Sequence, residues 1–553
     1  MPAKTMGRTP TIVTALLFVL LVVLILYPNL ATIWISLRGP GGALAGFGEF
    51  VDPEHPAGVE ALWTSLWTSA VSTLLAGILG TGAALLVGGC SFRGRGLARI
   101  AAAAPLALPP LVGVFSFYFL LGSSGILPRG LQALLGDWVT FQLSGVGAVL
   151  VVHAYSFSAY FFLFVEAALL GLDASAVEAA RSLGARPLRV LLRVILPLLA
   201  PALRGAALLT FMSSMASFSA PFLFATSSRF LSVEIYNRKL EGNWRAAAVE
   251  SLVLAAVSLT GLVLARGRLL TAPRRGAPRT YRSRPQGILA VALTLGMGLF
   301  SLIWLLPHLT VILLSFAREG SWTVSILPLR YGLENYTHLA SDPRAFSPIG
   351  NSLRMALFAT AAAVVVGVAA AHRIVAGGRI GRLLDLLAAL PWALPGTVLA
   401  FNLLAAFGLF QIGGWRLSLM GSALLLPLAY FIRHLPLVVR ATHGAFASLD
   451  RSLMEAALSL GARPRLAFRR VALPLLWPGI AAGALLAWVS ILGEFVASIL
   501  LWIPSNQPIS MEIYSRLRIY DFGGAAAYGS LLIVLVALAL AISPRLRANL
   551  SSG

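Results

Sequence analysis

"EAARSLGARP" at Glu178–Pro187 and "EAALSLGARP" at Glu455–Pro464 are one decapeptide written twice, 277 positions apart and differing only at Arg181 and Leu458. Widened to 172–201 against 449–478, the two segments agree at 19 of 30 positions. "PLALPPLVG" from Pro105 then pairs with "PWALPGTVL" from Pro391, and "SVEIYNR" from Ser232 with "SMEIYSR" from Ser510, in the same order. The chain is an internal duplication of whole halves.

The repeated segment has a legible local physics. Ser175-x-x-Glu178 and Ser452-x-x-Glu455 fit a capping box, with Asp173 and Asp450 as competing caps. Gly184 and Gly461 suit the left-handed stop of a helix, and Pro187 and Pro464 the first turn of a second. Pro197 and Pro474 are expected to end that second helix. The product is a helix of about two turns, a bend and another helix; so short a helix is marginal alone. Its near identity in two halves whose flanks have diverged points to a docking surface. Taken singly, Glu178 and Glu455 serve equally well as caps.

Of the 553 residues 58% are hydrophobic and 11% charged, so the chain is expected to be an all-α polytopic membrane protein rather than a soluble domain. Stretches near the roughly 20 residues a bilayer demands fall at 11–36, 63–89, 100–122, 144–166, 203–225 and 246–265, then at 288–316, 351–372, 383–409, 418–440, 480–503 and 525–542. That gives about twelve transmembrane helices in two parallel six-helix repeats. The expected layout is a first half over 1–265, a basic linker over 266–286, rich in Pro, Gly and Arg, and a second half over 287–553.

The net charge of +22 comes from basic residues that punctuate the apolar runs, so it predicts topology and not a nucleic-acid partner. Most of the 42 lysines and arginines fall on one side if both termini and both decapeptides are cytoplasmic. The single cysteine, Cys90, allows neither an intrachain disulfide nor a Cys-based metal site. The sequence has no GxxxxGK[ST], and its lysines are Lys4 and Lys239, so no ATP-cradling loop is present and no enzyme activity is expected.

Glu-Ala-Ala, a glycine four residues after the second alanine in the form EAAxSLGA, and Leu-Pro some dozen residues on resemble the EAA loop of permease subunits of binding-protein-dependent ABC importers. The resemblance covers nearly the whole chain. It implies that the loops couple to two copies of an ABC ATPase through Glu178, Ala179, Ala180 and Gly184, and through Glu455, Ala456, Ala457 and Gly461. It further implies a bacterial inner-membrane location, an extracytoplasmic substrate-binding protein as partner, and ATP consumed by partner subunits, with no cofactor on this chain. "LAYFIRHLPLVVRATHGAFASLDRSLMEAALSLGARPRLAFRRVALPLLWPG" and "LGEFVASILLW" are similar to the ferric-iron class; thiamine, aminoethylphosphonate and polyamine permeases are near relatives.

Ionisable groups within spans suggest a translocation path. Glu494 is the foremost such group, suited to a hard cation or to an arginine; its counterpart in the first half is Ser217. The prolines of "PLALPP" and "PWALPG", Pro109 and Pro395 among them, are expected to break the third span of each half where it lines the path. No metal site is expected. His153 and Asn402 are expected to bond neighbouring helices together, and Tyr155, Tyr160 and Tyr430 to sit in an interfacial aromatic belt. A twelve-helix secondary transporter is the rival class, but it has no use for two cytoplasmic docking loops. A membrane-embedded enzyme would need a His or carboxylate cluster that the sequence does not carry.

Overall fold

The computed structural model describes residues 11–38, 41–54, 56–136, 141–266, 286–322, 325–409 and 418–548, and these are helical apart from turns, short extended links and an isolated bridge between Ala317 and Tyr331. Most of the linker expected at 266–286 lies outside the described residues. Among the described residues, nine helices are long and apolar enough to cross a bilayer, and the bent pair Gly378–Ala393 and Gly396–Gly408 makes a tenth candidate. Trp244–Arg266 and Leu425–Ser448, 23 and 24 residues long, bring the set into one-to-one correspondence with the spans expected from the sequence. The second of these falls short of the hydropathy of a simple span because it carries Arg433, His434 and Arg440.

The chain forms two compact units that cut across the sequence halves. One unit contains residues 53–234 and 256–332; the other contains 1–52, 235–255 and 333–553. The helix that opens each half of the sequence therefore packs within the unit built mainly from the other half. In the first unit Gly287–Ser315 lies on Arg95–Ala103 and Pro110–Leu121. In the second, Tyr27–Leu37 lies along Gly396–Leu404, where Thr32 donates to Asn402 Oδ1 at 2.7 Å and Asn402 Nδ2 donates to Asn29 Oδ1 at 3.0 Å. Asn402 is thus bonded between helices, as expected from the sequence. Amides paired across helices are a common solution where no water is at hand.

Within each unit the tightest pairing joins the second span to the fourth: Ala57–Gly89 to Gly145–Leu170, and Pro343–Val375 to Leu425–Ser448. Lipid tails are as apolar as leucine, so helices associate there through small residues that let backbones approach. The second span buries Ala61, Ser65, Ser69, Ala76, Gly80 and Ala84. Its repeat buries Ser352, Ala356, Ala359, Ala363, Gly367 and Ala370. Gly80 and Gly367 are equivalent in the repeat, and at each a β-carbon would press on the facing helix, against Phe161 and the Ser158 carbonyl or against Val438. Large apolar side chains such as Leu74, Ile78, Leu357 and Phe358 point outward, as a lipid-facing surface requires.

The fifth span of each half begins earlier than the sequence suggests. Pro197 and Pro474 do not end a helix. A π-turn at Leu191–Ile195 or Phe468–Ala472 joins the short helix opening at Pro187 or Pro464 to Leu196–Met215 or Leu473–Leu492. Proline lacks an N–H and crowds the carbonyl four residues back; a wider turn just ahead of it absorbs both demands without breaking the rod. The first span does the same with Val22–Leu26 ahead of Pro28.

Candidate functional site

The repeated decapeptides form two loops of one design, one in each unit. Ala174–Ser182 and Arg451–Ser459 are nine-residue helices. The caps are the aspartates and not the serines: Asp173 Oδ1 accepts the Ser175 N–H at 3.0 Å, and Asp450 Oδ1 accepts the Ser452 N–H at 2.9 Å. These bonds hold both exposed carboxyls below their ordinary value of 3.8. With the aspartate one residue outside the helix, Ser175 and Ser452 are already in the first turn, so no capping box forms and Glu178 and Glu455 are left exposed.

Each helix stops as expected. Gly184 and Gly461 have φ of +78° and +86°. Ala185 N–H donates to the Ala180 carbonyl at 3.1 Å and Gly184 N–H to Arg181 at 2.9 Å; in the other loop Ala462 N–H donates to Ala457 at 3.1 Å and Gly461 N–H to Leu458 at 3.0 Å. The final alanine of each Glu-Ala-Ala therefore supplies the carbonyl that closes the turn. Val177 and Met454, equivalent in the repeat, anchor the loops in the cores formed around Phe162 and Leu199 and around Phe446 and Leu476. Ala179 and Ala456 are exposed, and at the turn Leu183 and Leu460 are 87% and 88% exposed. The two loops thus hold a large apolar side chain out at an identical place.

Beyond the loops lies a buried polar centre in each unit. Glu494 follows the helix Leu473–Leu492, and its carboxylate takes Arg433 Nε at 2.8 Å and the Ala497 N–H at 3.1 Å, with His434 Nε2 at 3.9 Å. Its carbonyl accepts the Ser498 and Ser510 hydroxyls at 2.5 and 2.9 Å, and Tyr430 shares a 2.7 Å bond with Ser498. The Arg433 guanidinium lies over Gly396: a β-carbon there would stand 2.5 Å from Nη1. Gly396 opens the helix after Pro395, where the third span turns by 108°.

The first unit repeats the backbone of this centre with other side chains. The Ser232 hydroxyl donates to the Ser217 carbonyl at 2.6 Å, as Ser510 does to Glu494. Leu231 N–H donates to Ser65 at 3.0 Å, as Ile509 N–H does to Ser352 at 2.8 Å. In place of the charges stands His153, with Nε2 2.9 Å from Ser217 Oγ and Nδ1 3.1 and 3.0 Å from the Ser72 and Ser214 hydroxyls. The third span of this half also breaks, through a tight turn at Ala104–Ala107, extended Leu108 and Pro109.

The structure thus brings Glu494 to the break at Pro395 and Gly396, and it adds Arg433 and His434, which the sequence alone had not singled out as part of a path. A signal was present: Arg433 and His434 interrupt an apolar helix, and a charge so placed needs a partner. Tyr155 and Tyr430 are not interfacial belt residues. Both are buried, Tyr155 donating to the Trp304 carbonyl at 2.9 Å and Tyr430 bonded to Ser498. Each sits on the packed side of its helix, where the hydroxyl meets a partner from another span.

Two segments, 76–271 and 363–552, each match the family described as binding-protein-dependent transport system inner membrane component. The chain belongs to this family. It carries the family's domain twice, as a fused two-half permease. It is 30% identical over 490 residues to the probable ABC transporter permease protein y4fN of Sinorhizobium fredii, covering 87% of this chain and 86% of that one. It is 25% identical over 557 residues to the ferric transport system permease protein FbpB of Actinobacillus pleuropneumoniae, covering 96% and 78%. The spermidine/putrescine transport system permease protein PotB of Escherichia coli is 31% identical over 247 residues, 42% of this chain and 88% of that one. The permease is therefore a multi-pass transport subunit of an ABC importer, a type that works with an ABC ATPase and a substrate-binding protein.

Proposed function

We propose that the permease forms the whole membrane pathway of a ferric-iron importer and is driven by two copies of an ABC ATPase, one seated on each loop. Glu178, Ala179, Ala180 and Gly184 form one seat, and Glu455, Ala456, Ala457 and Gly461 the other. The observation that carries this is the matched exposure of Leu183 and Leu460 on two capped and anchored nine-residue helices. Both loops and both termini face the cytoplasm, consistent with the arginine-rich inner segments. ATP is consumed by the partners, and this chain carries no cofactor.

The path runs past the two polar centres, with Glu494 and Ser217 beside the breaks at Pro395 and Pro109. As the structure stands Arg433 neutralises Glu494; once that pair parts, a carboxylate becomes available to a hard cation. A substrate-loaded receptor docks on the outer face, the ATPases close on ATP, and the loops pass that closure to both halves. Ferric iron is favoured over thiamine, aminoethylphosphonate and polyamines by the likeness, over 96% of this chain and 78% of the other, to a permease named for ferric transport.

The test is the pair Gly184→Val and Gly461→Val. Nothing lies within 4 Å of where a β-carbon would stand at either glycine, so the added side chain acts through the backbone, which at φ of +78° and +86° a β-branched residue resists. The double variant should reach the membrane folded, judged by a monodisperse elution profile, and lose the co-purifying ATPase. Normal co-purification would refute the coupling role.

A further inference from the structure

Two of the ion pairs lie apart from the loops and the polar centres and occupy matching places in the two units. In one unit Arg99 Nε stands 2.9 Å from Glu166 Oε1 and donates to Oε2 at 3.1 Å. In the other, Arg440 Nη1 stands 2.8 Å from Asp385 Oδ1. Both pairs connect the same two kinds of element. Arg99 and Asp385 are on Arg95–Ala103 and Gly378–Ala393, the helices that run into the broken third spans. Glu166 and Arg440 are on Gly145–Leu170 and Leu425–Ser448, the helices that lead into the loops.

The chemistry of the two pairs is reversed. Arg99 and Asp385 are equivalent in the repeat, each six residues before the first proline of its break, yet they carry opposite charge. The partner has changed as well. His443 stands where Glu166 would, and Arg440 lies three residues earlier, on the same face of its helix. A contact merely left over from duplication would have kept its residues. Here neither residue type persists at its place, and the link between the two elements does. Glu166 has a side chain only 5% exposed, so its pairing with Arg99 is screened far less than an open surface bridge would be.

We propose that Arg99–Glu166 and Asp385–Arg440 are positioning residues that transmit the movement of each loop to the break in the third span of the same unit. The α-helices between pair and loop are stiff rods, so displacement of a loop reaches the pair within a few turns. The pair then moves the helix that leads to Leu108 or Leu394. This inference rests on the proposed seating of ATPases on the loops.

The experiment uses the full permease with its co-purifying ATPase, in a Cys90→Ser background. Leu108→Cys or Leu394→Cys reports on each break, since both residues are extended and buried. The maleimide labelling rate is measured with and without ATP and vanadate. In the parent, ATP should change both rates several-fold. Arg99→Glu should abolish the change at Leu108→Cys while sparing Leu394→Cys, and Arg99→Glu with Glu166→Arg should bring it back. Asp385→Arg, then with Arg440→Asp, should do the same at Leu394→Cys. Glu166→Gln, which keeps the volume, serves if a reversal does not fold, and should likewise blunt the response. A response that survives every single substitution in a folded protein overturns the inference alone. A parent that keeps its ATPase yet shows no response at either break also overturns the inference alone, whereas a parent that binds no ATPase overturns the seating of ATPases with it.

Discussion

Glu494 shows how a residue and the kind of partner it needs can be expected while the partner itself stays unlocated. Its charge within an apolar segment marked it, but the partner that explains it, Arg433, comes from a helix 61 positions earlier and has to be seen in space. Breaking a buried pair by removing one member leaves the other charge without compensation, a loss of about 3–5 kcal/mol. Glu494→Ala should therefore lower the thermal midpoint of the detergent-solubilised permease well below that of the parent, and Glu494→Ala with Arg433→Met should recover most of it. Equal midpoints for parent and Glu494→Ala would mean that the pair does not hold the break together. The local chemistry around the loops was easier to foresee. Gly184, Gly461, Pro187 and Pro464 act where their intrinsic conformations dictate, because turns are decided by neighbours in the chain. The choice of Asp173 over Ser175 as cap was not decidable in that way, since both side chains can accept the same kind of bond.

At the scale of elements, the nine candidate spans and the bent tenth among the described residues were legible from apolar length, and so were the breaks at Pro109 and Pro395. The π-turns before Pro28, Pro197 and Pro474 were not, for proline within an apolar run reads equally as a stop or as a kink. Their place matters to the loops. A π-turn holds an extra residue, and one residue is about 100° of helix rotation. Pro197→Ala restores an N–H at that position and lets the segment settle into an ordinary α-helix, which turns the loop ahead of it. The expected result is a folded permease with weakened ATPase co-purification and altered maleimide labelling of Leu183→Cys in a Cys90→Ser background. Unchanged labelling and unchanged association would show that the wide turn has no part in aiming the loop.

For the molecule as a whole, the duplication was plain in the sequence, while the exchange of opening helices between halves was not. Nothing local distinguishes Tyr27–Leu37 as a neighbour of Asn402, because the bond from Thr32 joins residues 370 positions apart. The exchange does bear on function, since each unit draws on both halves of the chain and neither half supplies a unit alone. The central claim is that two loops of one design receive two ATPases. Its most direct measurement is site-specific cross-linking in the membrane, with Leu183→Cys and Leu460→Cys made one at a time in a Cys90→Ser background and probed with a short bifunctional maleimide. Each position is predicted to join the permease to an ATPase subunit, and the doubly substituted chain to capture two. Capture at one loop only, or at neither while the chain remains folded and actively transporting, would contradict it.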